Sequence, residues 1–389
     1  MTEKLFTRDF VLSFLAQFAT SSVLFLLLPT IPIYLSRLGS SEAEIGVLVG
    51  AFSVSSLLLR PIVGRALVRI PERSFMVAGT VLYAVSSAAY LLAPAFWPLL
   101  IVRVIHGIGL AFFSTASFTL IVNISPDAHR GRSLSYFYLA INIAFALGPS
   151  LGVFLIELFN STILFLVCTG LSLCSLFITL KVSKIQAVPL GDPSARNSSF
   201  LSRDALPPAI MAFMGGIIWG ALTTFFPLFA LTHGVANPGF FFAALAITLI
   251  LARALGGKIL DLYRREKVIL PSLLAQIMAM AILTFSTTLP MFILVAVIWG
   301  LGTAFFYPAL VADAIDHAGS SRGPAIGTYS ALSDLGIGMG AVIMGIVLEL
   351  TNYPVMFLCL ILTGLINLSY FRFILRKRRI NPVRKSSTF

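Results

Sequence analysis

The sequence predicts an all-α membrane protein, with 12 transmembrane helices arranged as two pseudo-symmetric six-helix halves. Composition is the first reason: 58% of the 389 residues are hydrophobic and only 11% are charged, against about a quarter charged in soluble globular chains. Spacing is the second, because apolar runs of about 20 residues, the length that crosses a bilayer as a helix, recur with little polar sequence between them. The third is an internal repeat. An offset of 193 positions carries Arg60-Pro61-Ile62-Val63-Gly64-Arg65 onto Arg253-Ala254-Leu255-Gly256-Gly257-Lys258 and His106-Gly107-Ile108-Gly109 onto Trp299-Gly300-Leu301-Gly302. An offset of 192 carries Arg130-Gly131, Asn142 and Gly148 onto Arg322-Gly323, Asp334 and Gly340.

The first span, 10–35, is flanked by Glu3, Lys4, Arg8 and Asp9 and is too long for a cleaved signal peptide. It contains Gln17. The second, 44–67, ends with Arg60 and Gly64 and runs into a loop bearing Arg65, Arg69 and Arg73. After 74–94 comes 97–122, with two residues that are costly in hydrocarbon: Arg103 roughly 9 Å and His106 roughly 14 Å below the helix start. The fifth span, 133–156, places Asn142 mid-membrane and then weakens its helix at Gly148, Pro149 and Gly152. Span 162–182 completes residues 1–182, the N-terminal half. Residues 183–204, with Pro189, Gly191, Pro193 and several serines, read as a linker.

The second half, 205–375, follows the same plan. Span 205–231 carries Trp219 and span 239–260 carries Arg253, which with Arg60 is expected to be a buried intramembrane arginine. A loop with Gly257, Asp261, Arg264 and Arg265 precedes spans 268–289 and 291–312, the latter with Trp299 and Tyr307. Span 324–348 holds Asp334 roughly 15 Å from its start, beyond the reach of a short side chain to water. Such a carboxylate faces an aqueous cavity, pairs with a cation, or carries a proton for part of a cycle. The glycines from Gly336 to Gly340 lie inside an apolar run with no preceding strand, so close helix packing explains them better than nucleotide binding. Span 353–375 is the last, and residues 376–389 form a basic tail.

Lysine and arginine set the orientation. Apart from Arg60, Arg103 and Arg253 within spans, only Arg37 falls on the side opposite the N-terminus. By the positive-inside bias both ends are cytoplasmic, and the formal charge of +12 is accounted for without nucleic acid. The three cysteines fall inside apolar runs as small core residues. Neither they nor the four histidines have the spacing of a metal or nucleophile site, which argues against an enzyme or a cofactor.

These residues bring the chain close to a known family. It resembles the major facilitator superfamily over nearly its whole length, and more narrowly its twelve-helix drug and metabolite:proton antiporters. Gly64, Arg69 and Arg73 resemble that family's G-x-L-A-D-R-x-G-R-R loop, although Val68 stands at the acidic position and Pro71-Glu72 follows Ile70. Gly257, Asp261, Arg264 and Arg265 form the corresponding set in the second half. The resemblance implies that these loops gate the cytoplasmic side, with Asp261 supplying the acid. Arg103 to Gly107 is similar to the fourth-helix R-x-x-x-G pattern tied to proton coupling, and Gly148-Pro149-Ser150-Leu151-Gly152 to the fifth-helix antiporter pattern.

Two parallel repeats joined by a linker place a substrate site between the halves near the midplane, reached alternately from each side. Transport is therefore the expected activity: proton-driven export of a small amphipathic or zwitterionic molecule such as a drug, siderophore or metabolite. Proton-coupled or facilitated uptake is the alternative. Asp334, Arg103 and His106 are the candidate proton-coupling residues. Asn142, Gln17, Trp219, Trp299 and Tyr307 are the candidate cavity residues. The expected partners are a small molecule, protons and the lipid of a bacterial inner membrane, with a monomeric carrier.

Overall fold

The computed structural model describes residues 6–93, 96–126, 130–183, 202–203, 205–256, 262–317 and 322–380. Among these residues the regular structure is helical: α1 Arg8–Arg37, α2 Glu42–Ala66, α3 Glu72–Ala89, α4 Phe96–Ile124, α5 Arg130–Leu158 and α6 Ser161–Thr179, then α7 Leu206–Thr232, α8 Gly239–Gly256, α9 Arg265–Thr284, α10 Leu289–His317, α11 Arg322–Leu350 and α12 Tyr353–Ile380. Each overlaps a predicted span, with α3 and α9 ending five residues before the predicted limits of 94 and 289. Eleven are long and apolar enough to cross a membrane; α3 falls short because its 18 residues include Glu72 and Arg73. Helices α10 and α12 each run five residues past the predicted limit. Hydropathy marks where lipid ends, whereas backbone hydrogen bonding continues into polar turns such as the one holding Asp313 and Asp316.

The repeat in sequence is a repeat in packing. In the first six helices the contacting pairs include α1 with α5 and α6, α2 with α4, and α3 with α4 and α6; in the last six they include α7 with α11 and α12, α8 with α10, and α9 with α10 and α12. The glycines show why. At Gly107 an added Cβ would collide with Phe52 and Ser55, and at Gly300, its repeat partner, it would meet Leu245 and Thr248 at 3.0–3.3 Å; those contacts are themselves related by the 193 offset. Gly109 abuts Gly79 and Tyr83, and Gly302 abuts Ser272 and Gln276, again in register. Without a hydrophobic driving force between helices in lipid, such small residues let backbones approach and gain van der Waals contact. A polar tie repeats too. Asn123 Nδ2 donates to Glu72 Oε1 at 2.6 Å, and at the equivalent positions Arg265 Nε donates to Asp316 Oδ2 at 3.3 Å.

Between the two sets of helices the main contacts are α2 with α11, α5 with α8 and α1 with α7. Twelve passes return the chain to the face where it began, here the terminal face. At the far face α2 and α11 are in intimate antiparallel contact: Gly46 lies on the Ala341 backbone, Gly50 on Gly338 and Val342, and Gly345 on Glu42 and Ala43. Glu349 accepts hydrogen bonds there from Ser41 Oγ (2.7 Å) and the Ala43 amide (2.9 Å), capping α2 across the interface. Nearby, Ser150 Oγ on α5 donates to the Gly239 carbonyl on α8 at 2.8 Å. On the same stripes toward the terminal face the helices part, and a Cβ at Gly64 or Gly327 would meet nothing within 4 Å. The structure is thus sealed at the far face and splayed at the terminal face.

Candidate functional site

A cavity of ≈ 220 Å³ lies where α1, α2, α4, α7 and α11 converge. Its wall is largely apolar, with Phe25, Leu28, Phe52, Leu110 and Ile337 on it, and its chemistry comes from Arg60, Arg103, His106, Asp334 and the hydroxyl residues Ser53, Ser56, Thr223 and Thr224. Helix α7 contributes Trp219, Gly220, Thr223 and Thr224 and is the most deeply embedded of the apolar spans among the described residues.

Asp334 and Arg103 line the same cavity, but the ion pair of Asp334 is with another arginine. Its carboxylate pairs through Oδ2 with Nη1 of Arg60, joining α11 to α2 across the two sets of helices. Sequence reading put Arg60 among the buried arginines and missed this partnership. The signal available was depth: Arg60 sits six residues from the terminal-face end of α2 and Asp334 twelve from that of α11, roughly 9 and 18 Å. A long arginine side chain spans that difference.

Arg103 has a different occupation. It is buried, donates its Nε–H to the Leu48 carbonyl at 2.9 Å and Nη1–H to the Tyr90 hydroxyl at 3.4 Å, and lies 4.6 Å from the Phe52 ring centroid. The Tyr90 oxygen also meets His106 Nδ1 at 3.2 Å. The hydroxyl accepts from Arg103 and is able either to donate its own proton to Nδ1 or to accept one from it, so this contact fits both tautomers of His106. Tyr83 packs edge-on against the imidazole at 4.2 Å. The guanidinium, two phenols and the imidazole form one buried polar cluster on the first six helices. At their repeat equivalents the second set has Gln276, Leu283, Ala296 and Trp299, so the charge of this layer is confined to one side.

Of the predicted cavity residues only Trp219 lines the space. Trp299 is fully buried behind it, ring centroids 4.9 Å apart, and Phe241 stacks on Trp299 at 6.2 Å. Gln17 is buried between helices, donating to Ser21 Oγ and accepting from Ser117 Oγ, both at 2.9 Å, which ties α1 to α4. Tyr307 packs against Phe306 and accepts at its carbonyl from the Tyr329 hydroxyl, in a cluster nearer the terminal face. Asn142 is half-buried on α5, outside the cavity lining. Rotation about the helix axis was not legible, because apolar runs carry no period that marks the inner face.

Arg253 is corrected from buried to exposed. It stands in the last turn of α8, where a cation complements the carbonyl end of the helix and reaches outward. Cys174 is likewise exposed, while Cys168 is buried and Cys359 intermediate. In the bending motif, Gly148 and Gly152 abut Phe25 and Leu26 of α1, with Pro149 between them. Among the gate residues, Gly64, Arg65 and Arg69 are exposed, and Arg73 donates to the Leu180 carbonyl, joining α3 to the end of α6. Arg264 is exposed 3.8 Å from Glu266, and Arg265 holds Asp316. Gly257 and Asp261 lie outside the described residues.

A paired-helix fold with a cavity between its halves matches what comparison finds. The sequence profile of the Major Facilitator Superfamily matches residues 13–252 and 236–389. The chain belongs to the major facilitator superfamily. It is a multi-pass membrane transporter, and like the family's other members a carrier, not an enzyme. It is 25% identical to the Staphylopine export protein of Staphylococcus aureus over 348 residues, covering 84% of this chain and 86% of that one. Quinolone resistance protein NorA of the same organism is 30% identical over 132 residues, 34% of each chain. Among solved structures, a bacterial homolog of the human lysosomal transporter Spinster superposes with a TM-score of 0.79 at 14% identity, covering 97% of this chain and 98% of that one. The nucleoside transporter NupG gives 0.77 at 14%, covering 95% and 98%. These two establish the fold alone.

Proposed function

We propose that this superfamily member is a proton-driven exporter of a small amphipathic molecule. It works by alternating access in a bacterial cytoplasmic membrane with both chain ends in the cytoplasm. The moving units are residues 1–182 and 205–375, with 183–204 as the link and 376–389 as the tail. The observation that carries this reading is the Arg60–Asp334 pair, a titratable contact that spans the two units inside the cavity. Protonating Asp334 removes its charge and loosens α11 from α2; deprotonation restores the attraction. A proton thereby acquires different affinities in the two conformations, which couples it to the rocking motion by linkage. Arg60 takes the electrostatic part that depth alone would give to Arg103. Export is supported by the relatives named for it, and the orientation by the placement of lysine and arginine.

Inside-out proteoliposomes with an acidic lumen test the reading, using a fluorescent quinolone as probe. Wild type should concentrate the probe in the lumen and release protons from it, as pyranine would report. Asp334→Asn should exchange probe without a gradient yet fail to concentrate it. Concentration by Asp334→Asn driven by the pH difference alone would move the proton to another group, His106 first. Proton-stimulated release of probe from the lumen would indicate uptake instead.

A further inference from the structure

We infer that the cavity selects zwitterions: compounds carrying a carboxylate and a protonated amine a few ångströms apart on an apolar or aromatic arm. The inference rests on the reading of this cavity as the transport site and adds the substrate class. The first observation is the Arg60–Asp334 pair itself, part-buried in an otherwise apolar wall. A ligand with one charge that enters between the two residues satisfies one and strands the other, and a stranded charge is disfavoured where the side chains are only 36% and 29% exposed. A zwitterion exchanges partners without stranding anything, its carboxylate on Arg60 and its ammonium on Asp334.

The second observation adds two residues from outside that pair. Among the described residues lining the cavity, three buried polar atoms have no hydrogen-bond partner: Ser56 Oγ, Arg60 Nε and His106 Nε2. Ser56 and His106 are 2% and 1% exposed, so water does not satisfy these groups from the surface. Arg60 Nε is a donor only, Ser56 Oγ is able to donate, and His106 Nε2 donates in the tautomer whose Nδ1 accepts the Tyr90 proton. All three belong to α2 and α4. These donors are closed off from the cavity space in this conformation, so a side-chain rotation of this wall is needed to bring them to acceptor oxygens of a ligand; a carboxylate is the compact group that brings two with a charge that matches Arg60. The facing wall supplies Asp334 for the amine and Trp219, backed by Trp299, for the arm. The polarity is fixed: anionic end to α2 and α4, cationic end to α11.

Three probes with the same arm separate the contributions: phenylalanine has both charges, phenethylamine only the cation, and 3-phenylpropionate only the anion. Binding to purified protein in detergent, with no gradient, is read by calorimetry and by quenching of tryptophan fluorescence, a Trp219→Phe variant locating the signal. Phenylalanine should bind at least tenfold more tightly than either analogue. Arg60→Gln should erase its advantage over phenethylamine, and Asp334→Asn its advantage over 3-phenylpropionate, in variants that still elute as folded monodisperse protein. A single-charge analogue that binds wild type as tightly as phenylalanine, or absence of binding by all three, overturns the assignment; neither depends on protons or direction. Conversely, zwitterion selectivity in a protein that moves no protons would remove the exporter reading and leave this one standing.

Discussion

Two intramembrane arginines with similar prospects in the sequence have divergent roles in the structure. Arg60 reaches across the interface between the two sets of helices, while Arg103 is held within one set by Leu48, Tyr90 and Phe52. Removing Arg103 forfeits a charge-assisted hydrogen bond to a buried carbonyl, worth about 1.5–3 kcal/mol, and releases Tyr90. Arg103→Ala should therefore lower the thermal midpoint in detergent by several degrees. The pH dependence of transport by the surviving folded fraction should stay close to wild type, whereas Arg60→Ala should shift it. If Arg103→Ala moves the pH profile and Arg60→Ala does not, the two roles are reversed. The Arg265–Asp316 tie is a gentler case. Both partners are substantially solvated, so Asp316→Asn should change stability by less than about 1 kcal/mol.

At the scale of elements, the contact between α2 and α11 determines which face is sealed. Gly46 and Gly50 let α2 lie on the α11 backbone; a Cβ at Gly50 would stand 2.6 Å from Val342 Cγ2 and 2.9 Å from the Gly338 carbonyl oxygen. Backbone cannot yield as a side-chain tip does. Gly50→Val should thus be tolerated within the first six helices but disfavour closure at the far face. Cysteines introduced on the far side of the cavity, at Leu27 or Ile31, should react faster with a membrane-impermeant maleimide. Unchanged labelling would mean that the interface accommodates the added methyl groups by sliding. Gly64, on the same stripe but facing open space, should accept alanine without effect in this conformation.

For the whole molecule, the two-state balance is expected to rest on a few contacts at each face. Glu349 caps the first turn of α2 from the opposite set of helices, and cap interactions are worth about 1 kcal/mol. Glu349→Ala should shift the population toward the far-face-open state by about fivefold, visible as longer α2–α11 distances in spin-label measurements. No change in the distance distribution would make the cap incidental to the balance. Asp261, beyond the described residues, is the corresponding candidate on the terminal face; Asp261→Asn should raise cysteine accessibility from that side. Topology has its own test. Reporters within residues 190–200 and after Phe389 should both lie in the cytoplasm, and a periplasmic signal from either would overturn the orientation.

Class, helix order and internal symmetry were legible in the sequence because they depend on local quantities. The cost of exposing backbone to lipid fixes span length, and duplicated glycines such as Gly107 and Gly300 hold the same helix pairs together in both sets. The depth of Arg60, Arg103, His106 and Asp334 followed from counting residues along an axis. Rotation about that axis did not. In a soluble helix the polar face marks the outside, but in lipid both faces are apolar, so Trp219 and Trp299 were indistinguishable until packing put one on the cavity and the other behind it. Pairing across 274 positions was equally hidden. That Asp334 meets Arg60 and not Arg103 depends on which helices face each other, and this is set by all twelve packing together.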